Sequence, residues 1–408
     1  MKKLIFGYGA TGKSVEDYFQ RNNIGYLIYD DDKNINISNE LIFDEKRLDE
    51  IDEVIISPGI KPTHPLLGEI KSKELIVNTD IDLFNDIYKG KIIGVTGTNG
   101  KTTFVNLLTE YLNSQGIKSI AVGNVGKSPI EIIGEDYEFV IMELSSFQLY
   151  YINRLNLYKA IVLNIYEDHL DWHLDFEEYR NTKLKIREFT DSNSGESSEN
   201  YDSDVEPDYY DLISKKNKLI EQAGILDIVS DIPLYEETIY IFLKVVNDLK
   251  LYNDFNLNND SIKQFLSNYK TEEHRFEVID QFDNVIYIND SKSTNFNSLS
   301  KATSEIDNGI LVLHGITKNI SSKDLKISKK VKTILVPEDM EINLSDTNAK
   351  IIKLKSIFEI EEVLIDIIKP GDTVLFSCGG ASFNDFKNYE ERGKFFKSVV
   401  SNIKVKNG

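Results

Sequence analysis

The string Gly97-Thr98-Asn99-Gly100-Lys101-Thr102-Thr103 lies between an apolar run, Lys91 to Val95, and a helical run, Phe104 to Leu112. Backbone N–H groups of such a loop can wrap a phosphate, the Lys101 ammonium can neutralise its oxygens, and the Thr102 hydroxyl can ligate Mg²⁺ beside the nucleotide. This is the chemistry of an ATP site. Val95 stands where the common G-x-x-x-x-G-K-[ST] string has its first glycine, so the loop reads as a variant. A second glycine set, Gly7, Gly9 and Gly12, follows the run Lys3 to Phe6, and Asp30 closes the next strand. That spacing matches a dinucleotide fingerprint, which by itself says NAD; a nucleotide-sugar would be served equally, and a structural tight turn needs the same glycines. Glu143 ends the apolar run Phe139 to Met142, where an acid can share Mg²⁺ with Thr102. Glu167, Asp168 and His169 follow a further run, Ala160 to Leu163, and offer oxygen and nitrogen donors to a second metal, although a lone histidine is more often scaffold.

Positioning these groups requires strands that end in loops. Short β-like runs at Lys3 to Phe6, Tyr26 to Tyr29 and Val54 to Ile56 alternate with polar or helical stretches, as βαβ units of a parallel sheet do. A second such series begins at Lys91 and a third near His274, with strands expected at Val285 to Ile288, Gly309 to Leu313, Thr333 to Val336 and Thr373 to Phe376. Ser214 to Tyr269 reads as mostly helical, and between Asp191 and Asp211 eight acidic residues stand with no Lys or Arg, the composition of a mobile insert. At 408 residues the chain is too long for one ordinary domain. The fold class expected is α/β with three domains, at 1–90, 91–273 and 274–408, the acidic insert 191–211 lying in the second. A formal charge of −20, from 47 Lys plus Arg against 67 Asp plus Glu, argues against a nucleic-acid partner. Cys378 alone rules out an intramolecular disulfide framework, and no apolar run approaches a membrane span or a signal-peptide core. A soluble cytoplasmic protein is expected.

The variant GTNGKT loop resembles that of the Mur ligase superfamily of ATP-dependent amide-forming enzymes. Further strings occur in the family's order: GYGATGKS near the N-terminus, SPG at Ser57 to Gly59, ELSSFQL at Glu143 to Leu149, LNIYEDHLD at Leu163 to Asp171, HRFE at His274 to Glu277, INDSKSTN at Ile288 to Asn295 and ASFNDFKNYEERG at Ala381 to Gly393. Together they are similar to the D-glutamate-adding branch. The resemblance implies an N-terminal Rossmann-like domain that takes a uridine nucleotide rather than NAD, a central P-loop ATPase sheet, and a C-terminal Rossmann-like domain that closes over the site. It further implies that D-glutamate is joined to UDP-N-acetylmuramoyl-L-alanine through an acyl phosphate made from ATP, with one or two Mg²⁺, in peptidoglycan precursor synthesis and hence in cell-wall biogenesis, cell shape and division. A monomer without membrane insertion is expected.

Residue by residue, the resemblance places Ala10, Thr11, Asp30, Asp31, Ser57, Gly59 and Asn124 at the UDP substrate. It places Gly97 to Thr103, Arg275 and Asp290 at ATP, and Thr102, Glu143, His169 and Lys183 at metal. Lys183 would be carbamylated, a role that chemistry alone would not assign. Lys292, Thr294, Lys318, Ser382, Phe383 and Tyr389 would receive D-glutamate, with Lys318 the fixed cation that a dianionic amino acid needs. Lys101, Glu143, His169, Lys183 and Lys318 are the expected catalytic set. Some positions depart from the pattern. His314-Gly315-Ile316-Thr317-Lys318 keeps one glycine of the usual pair, Tyr389 replaces a phenylalanine, and the L-P-G-x-H-N string is not visible around Ile232 to Glu237. The central domain therefore reads as shortened. Two other readings are a non-catalytic nucleotide-binding descendant, and a Mur-type or folylpolyglutamate ligase of different specificity.

Overall fold

The computed structural model describes residues 2–32, 34–124, 126–190, 217–229, 232, 234, 236–253, 258–317 and 325–407. The acidic insert and Lys318 lie outside the described residues. The rest divide into two compact units, one drawn from Met1–Ile165, Trp172–Val229 and Tyr235–Ser267, the other from Tyr166–Asp171, Ser230–Leu234 and Asn268–Gly408.

The first unit opens with β1 (Lys2–Phe6), α1 (Ala10–Arg21), β2 (Tyr26–Tyr29), β3 (Ile51–Ile56), α2 (Pro65–Ser72) and β4 (Ile76–Asn78). All four strands run parallel in the order β2-β1-β3-β4. Leu4, Ile5 and Phe6 are buried in succession, as expected of a strand covered on both faces. Val15 and Phe19, four residues apart on α1, are buried beside Ile5 and Ile28.

The unit continues with α3 (Asp80–Ile87), β5 (Lys91–Thr96), α4 (Lys101–Ser114), β6 (Ser119–Gly123), β7 (Phe139–Glu143), α5 (Ser146–Tyr151), β8 (Lys159–Val162) and α6 (Phe176–Leu184). Its second sheet is again parallel, ordered β6-β7-β5-β8. Helices α7 (Glu236–Asn253) and α8 (Asn259–Asn268) follow, and the Tyr111 ring of α4 meets Phe242 and Phe265 edge-on at 5.2 and 5.3 Å. Side chains stitch the two sheets of this unit together. Ser14 Oγ donates to Glu131 Oε1 at 2.8 Å, Ser128 Oγ to Asp80 Oδ2 at 2.9 Å, and the Tyr151 hydroxyl to the Ile60 carbonyl at 2.7 Å. Burial pushes the Asp80 carboxyl up to about 6 against the pull of the Ser128 hydroxyl.

The second unit holds one sheet of β9 (Glu277–Phe282), β10 (Val285–Asp290), β11 (Gly309–His314), β12 (Val331–Pro337), β13 (Lys350–Leu354) and β14 (Thr373–Gly379). Its order is β13-β12-β11-β14-β10-β9, parallel except for β9. Helices α9 (Phe296–Ser304), α10 (Ile360–Ile367) and α11 (Tyr389–Asn407) complete it. Val312, Val374 and Phe376 face one apolar cluster with Phe396 and Val400, while Leu311, Leu313 and Leu375 face another with Phe296 and Leu299. This alternation is what a doubly wound sheet requires. Among the described residues no helix is long and apolar enough to cross a membrane.

Candidate active site

At the end of β1 the chain turns through Gly7 and enters α1 with Gly9 as the N-cap, which no side chain caps. A Cβ on Gly12 would lie 2.2 Å from the Gly7 carbonyl oxygen, so only glycine lets the helix approach the strand this closely. Ser57 Oγ donates to that same carbonyl at 2.7 Å, and the Tyr8 N–H donates to Asp30 Oδ2 at 2.5 Å. Asp31 accepts from the Tyr29 hydroxyl at 3.2 Å and meets His64 Nε2 at 3.1 Å. Ala10 and Gly59 are exposed and Thr11 half-buried. The loop thus carries carboxylates on its rim.

The loop between β5 and α4 is built differently. Gly100 caps α4 with φ +77°, and no side chain caps the N–H groups of the helix's opening turn. The Thr98 N–H donates to the Asn164 carbonyl at 2.9 Å, and Asn164 clasps Asn99 twice, accepting its N–H at 2.9 Å and donating to its carbonyl at 3.1 Å. Lys101 Nζ folds onto the carbonyls of Gly97 and Thr98 at 2.8 and 3.0 Å. Lys183, 2% exposed, brings a second ammonium to the Gly97 carbonyl at 2.8 Å, with its Nζ 4.9 Å from the Tyr179 ring centre. The Tyr179 hydroxyl bonds Thr98 Oγ1 at 2.9 Å. Two cations therefore converge on the carbonyl face of one loop, and the half-buried Thr102 and Thr103 begin the helix beside it. The clasp from Asn164 and the brace from Tyr179 escape the sequence reading, although Asn164 stands two residues beyond the end of β8.

Glu143 is the last residue of β7 and pairs with Val95 of β5, two residues before Gly97. It is 1% exposed. Its Oε1 accepts from Asn124 Nδ2 at 2.8 Å, while Oε2 is buried with no hydrogen-bond partner among the described residues. Asn124 also donates its N–H to the Glu143 carbonyl at 3.0 Å, so this residue, expected at the UDP substrate, is tied to the carboxylate. An orphaned buried carboxylate oxygen beside a phosphate-type loop has the donor chemistry a divalent cation seeks.

The second unit places the remaining residues. Glu167, Asp168 and His169 do not gather as a metal cluster, and among the described residues no group of three or more His, Cys, Asp or Glu does. The chain turns at His169 with φ +55°, and Asp168 is 4% exposed, accepting from the His169 N–H at 2.8 Å and from Asn295 Nδ2 at 3.4 Å, while His169 Nε2 lies 3.8 Å away. Arg275 Nε pairs with Glu272 at 2.5 Å. Asp290, at the end of β10, accepts from the Phe276 N–H at 3.1 Å and the Ser377 hydroxyl at 2.7 Å, and burial pushes it up to about 7. Lys292 Nζ rests 4.1 Å from the Tyr389 ring centre. Thr294 is half-buried, Ser382 is 3% exposed and Phe383 is open to solvent.

A Mur ligase middle domain profile matches residues 95–225, and a profile for the MurD-like N-terminal domain of Mur ligases matches residues 1–78. UDP-N-acetylmuramoylalanine–D-glutamate ligase from Pseudothermotoga lettingae is 30% identical, over 100% of this chain and 99% of its own length. That from Francisella tularensis subsp. mediasiatica is 32% identical, over 99% and 97%. Among solved structures, MurF ligase from Thermotoga maritima in complex with ADP superposes on 98% of this chain and 95% of its own with a TM-score of 0.56 at 16% identity, a likeness of fold. The chain belongs to the Mur ligase family. Both of these full-length relatives are UDP-N-acetylmuramoylalanine–D-glutamate ligases, the branch to which the sequence strings pointed.

Proposed function

We propose that the chain uses ATP to join D-glutamate to the free carboxylate of UDP-N-acetylmuramoyl-L-alanine, forming ADP and phosphate, in the cytoplasmic synthesis of peptidoglycan precursors. The carboxylate oxygen attacks the γ-phosphorus of ATP and ADP departs. The D-glutamate amine then adds to the acyl phosphate carbonyl, and the tetrahedral adduct expels phosphate as the amide forms. The first step is mainly positioning and charge neutralisation. The observation that carries the reading is the seat of Lys101, whose Nζ donates to the Gly97 and Thr98 carbonyls at 2.8 and 3.0 Å beside the opening turn of α4, which no side chain caps. A γ-phosphate entering there would draw Lys101 off the loop carbonyls.

Thr102 and Glu143 would hold Mg²⁺, the fit resting on the orphaned Oε2; when bound, the ion supplies neutralisation of phosphate charge. His169 and Lys183 complete the proposed ligand set. Lys183, whose Nζ lies 2.8 Å from the Gly97 carbonyl, would be carbamylated, as the resemblance implies. Arg275 and Asp290 would serve the nucleotide, as the resemblance implies. The UDP moiety would take the Gly7–Gly12 loop with Ala10, Thr11, Asp30, Asp31, Ser57, Gly59 and Asn124, whose carboxylates suit the donors of a uracil or ribose. Lys292, Thr294, Lys318, Ser382, Phe383 and Tyr389 would receive D-glutamate. We also infer the division of labour 1–90, 91–273 and 274–408 for UDP substrate, ATP and amino acid.

Phosphate release, measured with each UDP-muramoyl acceptor and amino acid in turn, with and without Mg²⁺, tests this. Release that needs UDP-N-acetylmuramoyl-L-alanine, D-glutamate and Mg²⁺ together is expected. Release with a different pair, or with none, overturns the assignment.

A further inference from the structure

Arg392, in the first turn of α11, is completely buried and has no ion pair with a carboxylate among the described residues. Its guanidinium is met by carbonyls instead. One terminal nitrogen donates to the Gly380 carbonyl at 2.9 Å and lies 3.3 Å from the His314 carbonyl, and the other donates to the Ser291 carbonyl at 2.7 Å. These acceptors sit one on each of three loops: Ser291 directly after β10, His314 at the end of β11, and Gly380 directly after β14. The three strands are neighbours in the sheet, so one side chain pins together the loops leaving their carboxyl ends. That edge is where parallel α/β sheets bind ligands.

A second contact extends the clamp. The first nitrogen also lies 3.2 Å from His314 Nδ1, and His314 Nε2 lies 2.9 Å from Asp385 Oδ2. Because a guanidinium can only donate, Nδ1 must accept, and the imidazole proton is on Nε2, facing Asp385. The chain Arg392 to His314 to Asp385 thereby reaches into the segment that carries Ser382, Phe383 and Tyr389. The loops close tightly around it. A Cβ on Gly315, where φ is +110°, would lie 2.9 Å from the Arg392 guanidinium and 2.2 Å from the Ala381 carbonyl oxygen.

Burying a full charge against neutral carbonyls is costly, and an apolar side chain would fill the volume without that cost. A planar fork with fixed donor directions does what an apolar side chain cannot, which is to set the spacing of three separate carbonyls. We propose that Arg392 is a positioning residue for the amino acid that joins the acyl phosphate, fixing the register of the loops that carry Lys292, Thr294, Ser382 and Tyr389. The inference rests on the D-glutamate reading given above.

The test is steady-state kinetics of R392K and D385A beside the unaltered chain, varying D-glutamate, ATP and UDP-N-acetylmuramoyl-L-alanine separately, with urea midpoints for each protein. Lysine keeps the charge but reaches fewer of the three carbonyls. The expected result is a KM for D-glutamate raised at least about tenfold in R392K and about threefold in D385A, with the other two KM values within about twofold. A purely structural role would move all three KM values or only the urea midpoint, and either result overturns the proposal. If R392K does not fold, D385A decides: the selective rise supports the clamp, and an unchanged D-glutamate KM removes it. Failure of the unaltered chain to release phosphate with D-glutamate overturns the functional reading and this inference together, whereas normal activity in both variants overturns only this inference.

Discussion

The two glycine loops of the first unit share one backbone plan, a parallel strand running through glycines into a helix, and differ in the charges set around them. At the Gly7 loop a carboxylate takes the Tyr8 N–H, and a second acid, Asp31, stands close by beside His64. At the Gly97 loop Lys101 and Lys183 both donate to the Gly97 carbonyl, and Glu143, which closes the adjoining strand, has a buried Oε2 with no hydrogen-bond partner among the described residues. The backbone supplies N–H donors in both cases. The side chains decide what those donors can receive: a ligand with hydrogen-bond donors of its own at the first, a polyphosphate with its metal at the second. Glycine spacing alone therefore cannot name a ligand, and the residues flanking it can.

Exchanging the charge at either loop should break this contrast on one side only. The largest effect is expected from Lys101→Ala, which removes the ammonium aimed at transferring phosphate. Turnover should fall by about 10³-fold or more, while binding of UDP-N-acetylmuramoyl-L-alanine, followed by calorimetry, stays within about twofold. Turnover close to that of the unaltered chain would remove the phosphate role of Lys101. Glu143→Gln comes next. The amide cannot supply an anionic oxygen, so the Mg²⁺ concentration for half-maximal activity should rise and turnover at saturating Mg²⁺ should drop about 10²-fold. An unshifted Mg²⁺ titration would show that the buried Oε2 is not a ligand.

How much of this contrast the sequence carried depends on where the information is stored. The central strands were legible because burial on both faces demands unbroken apolar runs, as in Ile92 to Val95 and Phe139 to Met142. The strands not read, β4, β6, β9 and β13, are all at sheet edges, where exposure dilutes the pattern: β13 shows one buried residue, Leu354, and β9 shows none. The phosphate loop was legible because its residues are contiguous. The groups that brace it were not, since Asn164 and Tyr179 reach Asn99 and Thr98 from 65 and 81 positions away. Arg392 was hidden for the same reason: its partners Ser291, His314 and Gly380 meet only once the sheet is assembled. The Glu167-Asp168-His169 string is a contrasting case. Its residues are adjacent in sequence, yet the chain turns at His169 with φ +55° and Asp168 accepts the His169 N–H, so adjacency alone does not say where their side chains gather.

Two smaller effects belong to the first loop. Gly12→Ala places a methyl where the Gly7 carbonyl oxygen would be 2.2 Å away, so strand and helix must separate. A loss of about 2 kcal/mol is expected in urea unfolding, together with weaker UDP-substrate binding. An unchanged midpoint would mean that the approach relaxes freely.

Asp30→Ala tests the charge itself. Asp30 holds the Tyr8 N–H at 2.5 Å and leaves its other oxygen toward the Asp32 N–H at 2.9 Å, so the carboxylate organises the rim from one side of the loop to the turn that follows β2. Removing it frees a loop donor and deletes the anion that would accept from a uracil or ribose. A charged hydrogen bond at a half-exposed site is worth about 1.5 kcal/mol, so the KM for UDP-N-acetylmuramoyl-L-alanine should rise about tenfold with the KM for ATP unchanged. If affinity for the UDP substrate instead increases, the carboxylate is repelling the diphosphate rather than reading the nucleoside. The loop would then take its ligand by the N–H groups of α1 alone, and the electrostatic distinction between the two loops would reduce to the lysines of the second.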